Sequence, residues 1–346
     1  MHALLKSEQR SNDGHRMVDV ALNTVTVPET KIEAVKRGGA SDARFRVMTM
    51  ISALIVILLF AGIMIALTEG ALLSISKFGW SFLTTQKWNP VTEVFGAVAP
   101  IYGTVVTSLL AMVLAVPVGI GIAIFLTEIC PRHLRRPIGI AIELLAGIPS
   151  IVYGIWGLFV FAPFFQQYVQ PWLIETCADI PVFQDLFAGP PYGIGVFTAA
   201  FILSIMILPF IAAVTRDVFD TVPPTLKESA YAMGCTTWEV VWRVVLPFSR
   251  AGVVGGAMLA LGRALGETMA VTFVIGNAHR ISTSLLAPGT TISAAIANEF
   301  TEAVGDIYHS SLIQLGLILF FISFVVLATA QLLLRMLERR AGGLKG

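Results

Sequence analysis

Six apolar runs recur along the chain, separated by polar segments, with approximate limits Val47–Leu67, Gly103–Leu126, Ile138–Phe161, Gly193–Thr215, Gly252–Ile275 and Leu312–Leu334. Each exceeds 20 residues, enough to cross roughly 30 Å of hydrocarbon as a helix rising about 1.5 Å per residue. In lipid every backbone N–H and C=O must be satisfied within the protein, so such runs are helical. The pattern predicts an all-α membrane protein with six transmembrane helices. The first run is no cleaved signal peptide: a long polar segment precedes it, and no small-residue cleavage site follows.

Charge placement orients these spans. The segment before the first span carries eight Lys and Arg, the links after spans two and four carry three and four, and the C-terminal end carries four. The remaining links carry two, none and one. Basic-rich and basic-poor segments alternate without exception, which places both termini in the cytoplasm. The expected organisation is a flexible cytoplasmic tail over 1–46, a six-helix membrane domain over 47–335 containing a cytoplasmic loop at 216–250, and a short cytoplasmic tail over 336–346.

Several polar or helix-breaking positions interrupt the apolar pattern. Span two has Pro117 with Gly119 and Gly121, span three has Gly147-Ile148-Pro149, and span four has Pro209. Each proline frees backbone groups that neighbouring helices must satisfy, so these spans belong inside a bundle. Glu143 in span three reads as a pairing residue near the cytoplasmic interface. Trp80, Phe82 and Trp88 in the first outer link suit an interfacial segment. The other outer links carry Glu175, Asp179 and Asp185, then Glu299, Glu302 and Asp306. That net acidic face would repel a free anion, so an anionic substrate would have to be handed over by a carrier, with these loops as its docking surface.

The loop after span four is too long for a hairpin and has its own grammar. Gly234 permits a turn that a β-carbon would oppose. Thr236 with Glu239 three residues on has the form of a capping box, so a short helix starts there. Trp238, Val241 and Trp242 then fall on one face, suited to a groove in a partner. Leu246-Pro247 is expected to stop that helix before span five. The whole stretch, Glu228-Ser229-Ala230, three residues, Gly234, nine residues, then Val244-Val245-Leu246-Pro247, resembles the EAA loop of ABC importer permeases. It departs mildly, with Ser229 at the second motif position and Val244 in place of isoleucine.

Span five is long enough to cross yet carries Arg263 and Glu267. Four residues apart on a helix, they would share one face and neutralise one another. An arginine at the bilayer centre costs about 2.5–3.5 kcal/mol on insertion scales, so it faces the bundle interior. A guanidinium fork matches a tetrahedral oxyanion, and a neighbouring carboxylate keeps that grip weak enough for release. Gly252 and Gly256, like Gly262 and Gly266, recur at four-residue spacing, which permits close helix contact.

The stretches GCTTWEVVWRVVLPFSR and LGRALGETMAVTFVIGN, with PIYGTVVTSLLA, IELLAGIPSIVYGIWG and the ANEF at Ala297–Phe300, resemble the PstC-type permeases of bacterial high-affinity phosphate importers. The resemblance runs from span one to the C-terminus. It implies an ABC type I importer permease fold in the bacterial inner membrane, paired with a homologous PstA-type permease. It also implies two PstB-type ATPases that bind ATP and Mg, a periplasmic PstS-type binding protein that delivers phosphate, and no cofactor in this chain. Arg263 and Glu267 would lie on the substrate path. Glu228, Ser229, Ala230, Gly234, Thr236, Trp238, Glu239, Leu246 and Pro247 would couple to an ATPase.

Composition narrows the alternatives. The chain is 56% hydrophobic and only 13% charged, with a mean hydropathy of +0.80. A soluble domain would be roughly a quarter charged. Cys130, Cys177 and Cys235 show no ligand-like spacing and read as free thiols. The sequence contains no G-x-x-x-x-G-K-[ST], HExxH or GxSxG, so neither a nucleotide cradle of that kind nor a hydrolase site is expected, and nothing calls for a nucleic-acid partner. Two other readings stay open. A permease for molybdate or sulfate would share the EAA loop, and an ion-coupled secondary transporter would use Glu267 as its proton carrier. The six spans show no repeated half of the kind secondary transporters carry.

Overall fold

The computed structural model describes the backbone of residues 29–342 and the side chains of residues 42–336 apart from Pro181 and Val182. Among the described residues six helices are long and apolar enough to cross a membrane. The chain divides into two units, residues 1–65 and 66–346. The first unit holds the larger part of helix α1 (Glu29–Phe78). Its apolar side chains, Ile51, Leu54, Ile55 and Leu58 among them, are exposed around the helix, as a lipid-facing surface requires. Of the expected flexible tail, residues 1–28 lie outside the described residues, whereas 29–46 begin α1. The run Lys31–Arg37 consists mostly of good helix formers, and an existing helix extends over them without a new nucleus.

The second unit continues with α2 (Val98–Ile124), which ends in a π-turn over Phe125–Ile129. Next come α3 (Arg132–Ala146), α4 (Ser150–Cys177), α5 (Pro181–Leu186), α6 (Val196–Asp220) and α7 (Pro224–Ala232). Helix α8 (Thr237–Val240) passes through a π-turn, Val241–Val245, into α9 (Leu246–Leu265). Helices α10 (Met269–Val274), α11 (Ile292–Glu299) and α12 (Asp306–Gly342) follow; residues 343–346 lie outside the described residues.

Small residues set the packing. A β-carbon on Gly119 would lie 2.7 Å from Ile211, and one on Gly252 or Gly256 would lie 2.5 or 2.7 Å from Val218 or Val214. Helix α6 is therefore gripped by α2 on one side and α9 on the other, which brings Ala111, Ala115, Ile207, Ala260 and Ala264 into one buried core. At the cytoplasmic end Ala123, Phe219, Val222, Ala230, Val240 and Val245 form a second core. A third, around Phe82, Phe95, Ile292 and Leu312, closes the outer end. Ser74 near the end of α1 meets α12 through Ser311 at 3.1 Å and Gln314 at 2.5 Å, a buried polar seam between spans.

Three expectations are corrected. Span three begins at Ser150, and the residues placed at its start form α3, a separate amphipathic helix. Pro149 disfavours helix at Ile148 and so breaks the chain there; the span then continues outward to Cys177. Span five is not continuous: α9 ends at Leu265, and α10 restarts at Met269. Leu246-Pro247 does not stop the short helix that begins after Thr236, because Pro247 sits in the first turn of α9, directly after the π-turn. The widened turn absorbs the missing N–H of proline, so α8 and α9 form one continuous helical path.

Two glycines of α2 separate packing from propensity. A β-carbon on Gly103 would lie 1.9 Å from the Thr290 carbonyl oxygen, whereas one on Gly121 would meet nothing within 4 Å. Gly103→Ala should cost about 1–3 kcal/mol through overpacking, and Gly121→Ala should be neutral or slightly stabilising. Thermal unfolding of the detergent-solubilised protein checks both.

Candidate coupling surface and membrane site

Helix α7 carries Glu228, Ser229 and Ala230. Ala230 is 4% exposed and anchors the loop to the cytoplasmic core. Glu228 is exposed, and the Ser229 hydroxyl donates to the Thr225 carbonyl at 2.7 Å. Gly234 ends the helix with φ at +86°, the left-handed conformation that its missing side chain allows. The capping box at Thr236 forms as expected: the Glu239 N–H donates to the Thr236 hydroxyl, and the Glu239 carboxylate accepts from the Thr236 N–H at 2.9 Å.

The aromatic face is narrower than the spacing implied. Trp238 and Trp242 are 64% and 54% exposed, with ring centroids 5.5 Å apart in an edge-to-face arrangement. Val241 is 1% exposed and belongs to the interior, leaving the two tryptophans alone on the exposed face. Met233 and Tyr231, before the Gly234 turn, are also exposed. One further contact was not legible in the sequence. Lys227 Nζ on α7 lies 2.6 Å from Glu128 Oε1 in the π-turn that ends α2. The only sequence signal was two opposite charges, far apart, each at the cytoplasmic edge of a span.

The same edge holds a second ionic group. Glu143 on α3 pairs with Arg216 on α6 at 2.7 Å, which is the pairing role expected of it. Arg135 on α3 meets Asp220 on α6 at 2.6 Å. With Arg132, Arg136 and Ile140 these residues line a cavity of about 350 Å³.

The predicted membrane pair is placed by the register of α6 against α9 and α10. Gly252 packs on Val218 and Gly256 on Val214, while the Gly195 N–H donates to the Val274 carbonyl at 2.9 Å. The two stretches are thus antiparallel, and Arg263 lies level with the middle of α6, about the turn of Ile207–Pro209. Arg263 stands two residues before the end of α9, and Glu267 lies in the break before α10. They do not share a helix face, and among the described residues no ion pair joins them. Arg263 is exposed on this chain and Glu267 half-buried. Glu267 instead accepts from the Ala270 N–H at 3.4 Å, and the Thr272 N–H bonds to the Thr268 carbonyl at 3.0 Å. The broken backbone therefore finds partners within the protein, as hydrocarbon depth demands.

On the outer side Glu299 is no docking residue. Its carboxylate accepts from Trp88 Nε1–H and the Tyr308 hydroxyl, both at 2.6 Å, and its other oxygen lies 2.6 Å from His279 Nε2. The Trp88 and His279 rings stack with centroids 4.9 Å apart. Trp88 thus holds outer loops together, a role beyond interfacial anchoring. Burial pushes the Glu299 carboxyl up, but the hydrogen bonds from His279, Tyr308 and Trp88 outweigh it and hold the group below its ordinary value.

The model for the family described as binding-protein-dependent transport system inner membrane component matches residues 115–342. The phosphate transport system permease protein PstC of Mesorhizobium japonicum is 65% identical over 316 residues, spanning 91% of this chain and 97% of that protein. PstC of Pasteurella multocida is 59% identical over 298 residues, spanning 86% and 93%. A solved bacterial ABC transporter involved in import of the acidic polysaccharide alginate superposes with a TM-score of 0.57 at 17% identity, covering 88% of this chain and 99% of its own. The inward-facing MetNI methionine ABC transporter gives a TM-score of 0.51 at 16% identity, covering 72% and 99%. At such identities the likeness speaks for the fold alone, and that fold is the one of ABC importer permeases in a multi-pass membrane protein.

The Glu299 cluster yields a pH-dependent expectation. A carboxyl with a depressed folded value stabilises the protein above its unfolded pKa, and that stability fades as pH falls through the folded value. Acidification below the ordinary carboxylate range should lower the melting temperature, and Glu299→Ala should cost about 1.5–3 kcal/mol while flattening that dependence. Melting curves against pH for both proteins provide the measurement.

Proposed function

The chain belongs to the family of binding-protein-dependent transport system inner membrane components, and among them to the PstC-type phosphate permeases, and from that premise we propose how it works. It is the non-catalytic membrane subunit of an ATP-driven phosphate importer in the bacterial inner membrane. It pairs with a homologous permease and receives phosphate from a periplasmic binding protein. Two separate ATPase subunits, which bind ATP and Mg, drive it.

What carries this reading is the position of Arg263: a guanidinium level with the middle of α6, exposed on this chain, beside a helix break. Charged residues at such depth face a partner or an aqueous path, because lipid would leave them unsolvated. Arg263 offers phosphate a planar, permanently charged fork. Glu267, three residues from the Ala270 N–H it caps, lowers the net positive field there, so the anion is held weakly and passes on. The preceding subunits of the pathway present phosphate from outside, where the acidic residues Glu175, Asp179 and Asp185 give the binding protein a docking surface.

Transport proceeds by alternating access. The exposed Trp238 and Trp242 seat in a groove of the ATPase, which closes on ATP. Because α8 runs through the π-turn into α9, displacement of the tryptophans travels along a helical rod toward Arg263. The Gly234 turn orients that rod relative to α7.

The purified four-subunit complex in liposomes tests the reading. Phosphate uptake should require ATP and should not be displaced by molybdate or sulfate. Arg263→Gln should leave assembly intact and reduce uptake by about 10- to 100-fold, the worth of a lost charge-assisted contact. Arg263→Lys should also be impaired, since an ammonium lacks the fork; wild-type uptake by Arg263→Gln would remove this residue from the path. Gly234→Asp, which puts a side chain on a left-handed backbone at a cost of about 1–2 kcal/mol, should lower the amount of ATPase that copurifies.

A further inference from the structure

Lys227 and Glu128 form the most shielded ion pair of charged side chains among the described residues, keeping 19% and 6% of their side-chain exposure at 2.6 Å. Glu128 sits in the π-turn at the end of α2, and Lys227 in α7 immediately before the exposed Glu228. Burying two charges carries a desolvation penalty that apolar side chains of similar volume would avoid. An ionic link in this place therefore calls for a role besides cohesion. Cohesion is already supplied: Ala123, Ile120 and Ile124 of α2 pack with Ala230 of α7, Val240 of α8 and Val245 in one apolar cluster.

The two kinds of contact differ mechanically. Apolar burial is non-directional, so one surface rolls over another at little cost. A charge-assisted hydrogen bond has a set length and direction and strengthens where water is excluded. The loop carrying Lys227 also carries the tryptophans that meet the partner, while α2 is gripped along its length by α6, as Gly119 against Ile211 shows. Beyond Glu128 the chain turns at Pro131 into α3, whose Arg135 and Glu143 are tied to α6. A displacement of α7 that keeps the Lys227–Glu128 distance must move the end of α2 with it.

We propose that the Lys227–Glu128 ion pair is the strut that transmits motion of the cytoplasmic loop to α2, so that these two are positioning residues for coupled transport. The proposal rests on the permease function given above. It accounts for a second route out of the loop, parallel to the rod from α8 into α9, so that two spans on either side of α6 move together.

The test uses the complete complex with its ATPases and binding protein in liposomes, and reads complex yield, ATP hydrolysis and phosphate transported per ATP. Lys227→Met and Glu128→Gln should each lower phosphate per ATP by about tenfold, within the usual range of coupling between sites. The charge reversal Lys227→Glu with Glu128→Lys should regain most of the ratio. Should the single variants fail to assemble, the apolar pair Lys227→Met with Glu128→Leu decides: it should restore yield and hydrolysis but not the ratio. A wild-type ratio in that apolar pair would overturn the strut and leave the ion pair a packing element only. A wild-type complex that moved another oxyanion would overturn the phosphate reading instead, and the same ratio measured with that anion would still judge the strut.

Discussion

Placing a guanidinium halfway across a membrane is the constraint around which this protein is built. The cost, about 2.5–3.5 kcal/mol on insertion scales, forbids Arg263 from facing lipid and so dictates what surrounds it. Small residues let α9 approach α6 closely at Gly252 and Gly256, which holds the cytoplasmic half of the span firmly. Beyond Arg263 the helix stops, and the chain crosses Gly266–Thr268 without regular hydrogen bonds. Such a break at hydrocarbon depth survives only where the protein satisfies it. Glu267 does part of this by accepting from the Ala270 N–H, and the Thr268 hydroxyl donates to the Gly266 carbonyl at 3.3 Å. The carboxylate is therefore both a neighbour of the cation and a cap for the helix that follows.

The cytoplasmic end is built differently. Two exposed tryptophans stand on a helix that is continuous with the span bearing Arg263, and the left-handed Gly234 sets its angle to α7. The π-turns at Phe125–Ile129 and Val241–Val245 both lie at this end, where α2, α7, α8 and α9 converge on one apolar cluster. Each widened turn lets a helix enter the cluster at a phase that a regular helix would not give. The ionic contacts Lys227–Glu128, Arg216–Glu143 and Arg135–Asp220 border this cluster and join elements distant in sequence.

The outer end is held by aromatic packing around one carboxylate. Glu299 gathers donors from the first outer loop, the loop after α10 and the start of α12, so three segments with little regular structure share one anchor. The acidity of the outer face thus has two components, a half-buried structural carboxylate and exposed residues such as Glu302.

The number of spans and the turns of the loop after span four were legible in the linear order of residues, because hydrophobic length and local turn chemistry act over a few neighbours at a time. The capping box from Thr236 to Glu239 and the turn at Gly234 are of that kind, and both form as the spacing implied. The break in span five, the separate α3 and the inward turn of Val241 were not legible, because each depends on which competing hydrogen bond or contact wins once helices pack. Apolar residues flank Gly266-Glu267-Thr268 on both sides, and a glycine beside a charged residue fits both a helix that continues and one that restarts. Likewise the partners of Glu128, Glu143 and Glu299 come from 99, 73 and up to 211 residues away. A charge in sequence declares only that it needs a partner; the tertiary packing, by bringing distant segments within hydrogen-bond reach and excluding water, decided which one it received.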